Sequence, residues 1–301
     1  MDKKRIITWV VLALSIGMTL LFISIVSIER VLSGRIPYEA NPKKWEKIVT
    51  QRERLLALGA RPVTFTTPDG IAIAGLLLER KQAKRIFVIC HGFKHTKERM
   101  ADLADIFPED TLLLIDFRGQ GESSGTKVCL GLQEHLDIIA ACQYAKKHIS
   151  DKLPLIGIGV SQGGAGVLRA AAYGAPFDVV ISDSAPSDFK YTVATILQRG
   201  KKIPFPIGWL ALTWYEYLMG CSYAVSDYRT YAHKITCPVL IMHDRKDHLI
   251  NYCHAEKLYN ALGSSCRQLW TVDNTWHGKM FKQIPTEYKQ KIEDFIAKCV
   301  D

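Results

Sequence analysis

The sequence predicts an α/β fold: a mostly parallel sheet with helices on both faces, preceded by a membrane-spanning helix. Three observations predict it. From Arg61 onward, short apolar runs alternate with stretches of helical periodicity, and strand–helix alternation builds a parallel sheet covered on both faces. Hydrophobic residues make up 48% of the chain, enough for a sizeable core and too many for a disordered one. The first segment is set apart by its composition: residues 6–28 carry no charge.

At 1.5 Å per residue, that first segment reaches across a hydrocarbon core of about 30 Å. Lys3, Lys4 and Arg5 flank it on one side and Arg30 on the other, with Trp9 where an interfacial aromatic would stand. A cleaved signal peptide is the competing reading. Its apolar region is normally shorter and ends in small residues, whereas Glu29 and Arg30 intervene before Val31-Leu32-Ser33. An uncleaved anchor over 1–28 is therefore expected. The tight Lys3-Lys4-Arg5 cluster leans towards a cytoplasmic N-terminus and a non-cytoplasmic main domain.

Residues 29–60 form a basic juxtamembrane linker. Asn41-Pro42 reads as a helix N-cap with a first-turn proline. Trp45, Ile48, Val49, Leu55 and Leu56 follow at helical spacing, and Gly59 is the expected stop. This amphipathic helix suits either a membrane surface or the face of the main domain.

The main domain is expected over 61–301. Val63–Thr67 and Ile71–Leu78 flank Pro68-Asp69-Gly70 and read as a hairpin. Buried-strand runs follow at Ile86–Cys90, Thr111–Asp116, Leu155–Val160, Val179–Ser182, Val239–His243 and Gln268–Val272. Helical patterns lie near Thr96–Phe107, Leu130–Ile149, Gln162–Tyr173, Tyr252–Leu262 and Thr286–Val300. One stretch breaks the alternation. Residues 185–235 separate two strands by far more than the usual connection, and they are rich in aromatics, among them Phe189, Phe205, Trp209, Trp214 and Tyr217. A helical cap insertion over a pocket and a local aromatic core both fit this stretch.

The formal charge is +9, and much of the excess lies near the N-terminus. No zinc-finger, helix-turn-helix or RNA-binding motif accompanies it, so nucleic acid is not an expected partner. Lipid headgroups are the better match. The eight cysteines show no C-x-x-C and no regular framework. Several sit in apolar runs, as Cys90 does, and buried free thiols are the expectation there.

The sharpest motif is Gly159-Val160-Ser161-Gln162-Gly163-Gly164, which fits G-x-S-x-G. On a tight strand-to-helix turn this pattern exposes a nucleophilic serine, and flanking glycines relieve crowding where the backbone reverses. The run before Ser161 reads as a buried strand and the run after it as a helix, which is the required context. A serine hydroxyl needs a base. In this chain order the acid comes next and the histidine last, which selects Asp247, after the run Val239–His243, and His277, between the last strand and the last helix. Asp244 is a rival carboxylate beside the same strand end. His91 and His95 precede the serine, and His243, His248 and His254 sit on the wrong side of the acid in chain order. An oxyanion formed on attack needs backbone donors: the amide of Gln162, directly after the serine, and that of Phe93, in His91-Gly92-Phe93 after another strand. No grouping has metal-ligand spacing, so no metal or other cofactor is expected.

Together these residues resemble the α/β-hydrolase superfamily, and more narrowly its serine aminopeptidase-like and esterase-like branch with a D-x-R-G-x-G-x-S signature. That signature stands as Asp116-Phe117-Arg118-Gly119-Gln120-Gly121-Glu122-Ser123. The spacing of Gly131, Glu134 and Asp137 also looks like this group, as does Asp69-Gly70 before the second strand. The resemblance runs from about Val63 to the C-terminus. It departs from the family pattern at Asp244, where glycine is usual, and at Gln120, where histidine is commoner. It implies that Asp116 and Arg118 shape a loop rather than react.

The resemblance also implies a serine hydrolase acting on a carboxylic ester or thioester of a small-molecule or lipid-like acyl group, through an acyl-enzyme. Peptide-bond hydrolysis is the runner-up. A catalytically inactive binding protein on the same fold is a further alternative.

Overall fold

A computed structural model of the chain describes residues 3–35 and 42–300. The Asn41 cap falls outside the described residues. Helix α1 (Lys3–Ser33) and helix α2 (Pro42–Ala57) precede the sheet. The described chain divides into two compact units: α1 groups with Lys190–Ser222, and the larger unit contains the remainder.

The larger unit is built on strands β1 (Arg61–Thr66), β2 (Ala72–Leu78), β3 (Ile86–Cys90), β4 (Thr111–Ile115), β5 (Leu155–Val160), β6 (Val179–Asp183), β7 (Val239–Asp244) and β8 (Arg267–Val272). They form one sheet in the order β1-β2-β4-β3-β5-β6-β7-β8. The β1–β2 hairpin pairs antiparallel, as does β2 with β4. Every later pair is parallel, β3 with β4 and with β5, then β5 to β8 in turn. Strands β3, β4, β5, β6 and β7 are buried at every position, which is why they read as unbroken apolar runs rather than alternating ones.

Two apolar layers cover the sheet. One holds Ile138 and Cys142 of helix α4 (Glu134–His148), Val167 and Leu168 of α5 (Gln162–Ala172), and Ala255 and Leu258 of α9 (Cys253–Ala261). The other holds Leu55 of α2, Leu103 of the one-turn α3 (Leu103–Ile106), Met280 of α10 (Met280–Gln283), and Tyr288, Ile292 and Phe295 of α11 (Pro285–Val300). A short α8 (Tyr228–Tyr231) lies between β6 and β7 in sequence.

Two helical expectations shift. Over 96–107 a 3₁₀ turn (Lys97–Met100) and α3 replace one continuous helix. The Lys97 amide and ammonium both bond the buried Asp116 carboxylate, at 2.8 and 2.6 Å, and this long-range pairing overrides local periodicity. Helix α4 starts at Glu134 rather than Leu130, because Leu130 (φ 52°) and Gly131 (φ 88°) are left-handed and cannot begin an α-helix.

The thiol expectation holds for Cys90, which is buried and free, while two other cysteines pair. Cys266 on β8's approach and Cys299 in α11 form a disulfide, tying the last helix to the edge of the sheet. The other six cysteines are free, and Cys90, Cys129 and Cys142 are buried.

In the smaller unit, the long connection after β6 folds as α6 (Phe189–Lys201) and α7 (Phe205–Met219). Helix α7 packs on α1, with the Phe22 and Trp214 rings edge to face at 5.6 Å. Lys190 pairs with Glu216 and lies 4.5 Å from the Trp209 ring centre. Among the described residues, α1 is the one helix long and apolar enough to cross a membrane.

Candidate active site

Val160 ends β5 and Gln162 begins α5, so the chain must turn from strand to helix at a single residue. That residue, Ser161, takes φ 56° and ψ −114°, a conformation that side chains with a Cβ rarely adopt. Its amide donates to the Asp183 carbonyl at 2.7 Å, clamping the turn to the end of β6. The flanking glycines are sterically required. A Cβ on Gly159 would lie 2.2 Å from the Gly163 carbonyl oxygen, and one on Gly163 would lie 2.3 Å from that of Cys90.

The loops after β7 and β8 bring the other two residues to this turn. His277 Nε2 lies 3.0 Å from Ser161 Oγ, and His277 Nδ1 lies 2.6 Å from Asp247 Oδ2. The other Asp247 oxygen accepts the amides of Leu249 and Ile250, at 2.8 and 2.9 Å. Burial alone would raise this carboxyl. The His277 hydrogen bond and charge, with the Ile250 and Leu249 amides, outweigh it and hold Asp247 below the usual carboxylate range. An ionised Asp247 can only accept, so Nδ1 carries the proton of the neutral imidazole. Nε2 is left bare to accept from the serine hydroxyl.

Asp244 has a different set of partners. One oxygen accepts the Lys246 amide at 2.6 Å. The other accepts the Thr275 hydroxyl at 2.7 Å and the Thr275 amide. It therefore fastens the loop that carries His277. Gly278 lets that loop close in. Its φ is 58°, and a Cβ there would lie 2.6 Å from Val160 Cγ1.

Three rival histidines are engaged elsewhere. His91 donates from Nδ1 to the Gly92 carbonyl at 2.7 Å and accepts the Phe117 amide at Nε2, at 3.2 Å. His243 Nε2 donates to the Ile250 carbonyl at 2.9 Å. His254 Nδ1 pairs with the Ser187 hydroxyl at 2.8 Å.

The loop after β3 runs beside the serine, since a Cβ on Gly92 would lie 3.5 Å from Ser161 Cβ. Phe93 follows in that loop, and Gln162 is the first residue of α5. Neither amide donates to an acceptor among the described residues. A helix N-terminus next to such donors favours negative charge. The Gln162 side chain is tethered to Glu134, whose carboxylate also accepts the Gly131 amide at 3.0 Å.

The Asp116–Ser123 segment builds the frame behind the site. Arg118 bonds Asp137 at 2.7 Å and Asp69 at 2.6 Å, joining α4 to the β1–β2 turn. Ser123 Oγ donates to the Asp116 carbonyl at 2.7 Å. Gly121 has φ 53°, and a Cβ there would lie 2.2 Å from the Asp116 carboxylate. Burial pushes Asp137 up to about 7 despite the Arg118 guanidinium. Burial likewise pushes Asp183, at the end of β6, up to about 7, against the Ser184 hydroxyl bond and the His277 charge.

Sequence reasoning missed three contributions: the Asp244–Thr275 clasp, the tether from Glu134 to Gln162, and the close approach of Gly278. Only Gly278 had a local signal, as the glycine directly after the selected histidine.

The chain has the α/β-hydrolase fold. The family described as serine aminopeptidase, S33, matches residues 81–199, a stretch that contains Ser161 and stops before Asp247 and His277. The protein YfhR of Escherichia coli K12 is 27% identical over 254 residues, covering 80% of this chain and 82% of that protein. An esterase of Pyrococcus furiosus, Pf2001, superposes with a TM-score of 0.68 at 20% identity, over 82% of this chain and 96% of its own. A structure described as a membrane phospholipase A, a bacterial virulence factor, has a TM-score of 0.63 at 16% identity. It covers 98% of this chain and 99% of its own.

Proposed function

We propose that this protein is a serine hydrolase that cleaves a carboxylic ester or thioester, with Ser161 as nucleophile, His277 as general base and Asp247 as the acid that orients it. The observation that carries this reading is the unbroken chain of contacts from Ser161 Oγ through His277 to Asp247, at 3.0 and 2.6 Å. His277 Nε2 takes the hydroxyl proton as Ser161 Oγ bonds to the acyl carbon. The carbonyl oxygen gains negative charge opposite the Phe93 and Gln162 amides. The tetrahedral species then expels the alcohol or thiol, which receives the proton from His277. Water repeats the sequence on the acyl-enzyme and releases the acid.

An acyl substrate, lipid-like in its apolar part, is supported by the esterase and membrane phospholipase among the structural relatives. The serine aminopeptidase family match supports peptide-bond hydrolysis as the second reading. An anchored chain with its catalytic unit outside the cytoplasm is supported by the Cys266–Cys299 bond, since such bonds persist in oxidising compartments.

The test is labelling with a fluorophosphonate probe, alongside turnover of p-nitrophenyl esters, acyl-thioesters and aminoacyl amides. Ser161→Ala should lose the label and on the order of 10⁶ in turnover, with its melting temperature kept. Activity near wild type in that variant would sink the reading. Amide turnover far above ester turnover would select the peptidase alternative.

A further inference from the structure

The smaller unit holds a contact that fixes the depth of α7 relative to α1. The uncharged segment 6–28 is about 34 Å long at 1.5 Å per residue, so a hydrocarbon core of about 30 Å fills nearly all of it. Phe22 lies six residues before Ile28, about 9 Å inside that end of the segment. Its ring meets the Trp214 ring of α7 at 5.6 Å. Wherever α1 spans a bilayer, Trp214 is carried below the headgroups with it.

The composition of α7 suits that depth. One face is buried through Ala211, Leu212 and Tyr215. Its exposed positions are Pro206, Trp209, Leu210, Thr213, Tyr217 and Leu218, none of them charged. Leu210, Tyr217 and Leu218 form a stripe at i, i+7 and i+8, and Tyr217 is 75% exposed. A helix that is apolar all round belongs in a core or in lipid. The single acid, Glu216, is neutralised by Lys190.

The hydroxyls point the same way. Thr213 Oγ1 donates to the carbonyl four residues back, at 3.0 Å. On α1, Ser15, Thr19, Ser24 and Ser27 do the same at 2.7–2.9 Å. Such bonds satisfy the hydroxyl proton within the helix, so these groups are compatible with hydrocarbon. Exposed Arg199, Lys201 and Lys202 lead into α7 and match the anionic headgroup level.

We propose that α7 is a membrane-inserted helix, lying in the leaflet at the Ile28 end of α1 with its Leu210–Tyr217–Leu218 stripe against lipid acyl chains. The proposal rests on the reading of α1 as a bilayer span. It makes the hydrolase a protein held in the bilayer by two elements, one spanning and one half-inserted.

The test uses full-length protein in vesicles of phosphatidylethanolamine and phosphatidylglycerol. A photoreactive benzoylphenylalanine replaces Leu218 in one preparation and Val11, inside the uncharged segment, in another. Lipid adducts at both positions, at comparable yield, are expected. Lipid adducts at position 11 with none at position 218 would overturn the insertion of α7 and leave the anchor standing. No adducts at either position would remove the anchor reading and the proposal with it. A cross-linked protein dimer at position 218 in place of lipid adducts would give the stripe to a second copy and also overturn the proposal.

Discussion

The Asp244 carboxylate grips Thr275, two residues ahead of His277, through both the hydroxyl and the amide. The carboxylate that bonds His277 itself is that of Asp247. Two neighbouring acids thus divide the work: one orients the imidazole and the other holds the loop that delivers it. Asp247→Asn should lower kcat by on the order of 10⁴. Asp244→Asn keeps one acceptor oxygen for Thr275 and should lower kcat by about tenfold, through loop placement. Steady-state kinetics on an activated ester decide it, and the larger loss in Asp244→Asn would reverse the two roles.

Gly278→Ala should damage turnover more than stability. The new methyl meets Val160 Cγ1 in a left-handed backbone conformation, so the loop must retreat and draw His277 from Ser161. A shift of about 1 Å at a reacting group can reduce rate by on the order of 10². Comparing kcat with the melting temperature of the same variant tests this, and unchanged kcat would refute it.

Asp183 gives the fold a pH dependence between the acid and neutral ranges. Its folded value of about 7 stands above the ordinary 3.8. The folded protein therefore keeps a proton that the unfolded chain gives up. The stability this confers is complete below about pH 4 and disappears as pH climbs to about 7, amounting to as much as about 4 kcal/mol. Asp183→Asn removes the titration. Urea unfolding at pH 5 and pH 8 should show the variant gaining on wild type as pH rises, and parallel behaviour at the two values would contradict the assignment.

The Cys266–Cys299 bond closes a loop across 33 positions. In the loop-entropy description, such a crosslink contributes about 4 kcal/mol. Cys299→Ser, or reduction of the wild type, should lower the unfolding free energy by that order and free the end of α11 first. Unfolding curves with and without reductant measure it, with hydrogen exchange along α11 showing where it acts. Identical curves would mean the thiols are unbonded in solution.

The strands were legible because burial on both faces leaves an unbroken apolar signature, seen at Ile86–Cys90 and Leu155–Val160. The serine turn was legible because its glycines answer a local steric demand. Asp247 and His277 were selected by chain order, strand ends and the acid position of the resembling family, and their side chains meet. The clasp on Thr275 was not legible, because its partner lies 31 residues away and threonine in a loop carries no special pattern. The disulfide was hidden for the same reason, with neither cysteine in a recognisable framework. The broken helix over 96–107 was concealed by the pull of Asp116 on Lys97, a pairing that local periodicity cannot register.

Phe22 and Trp214 meet across 192 positions, with β1 to β6 lying between their helices in sequence. A ribosome adding about 5–20 residues per second emits α7 roughly 10–40 s after α1. Throughout that interval α1 exists without the helix that covers it. The order of synthesis therefore gives the lipid, or an insertion factor, first claim on the face that α7 later occupies.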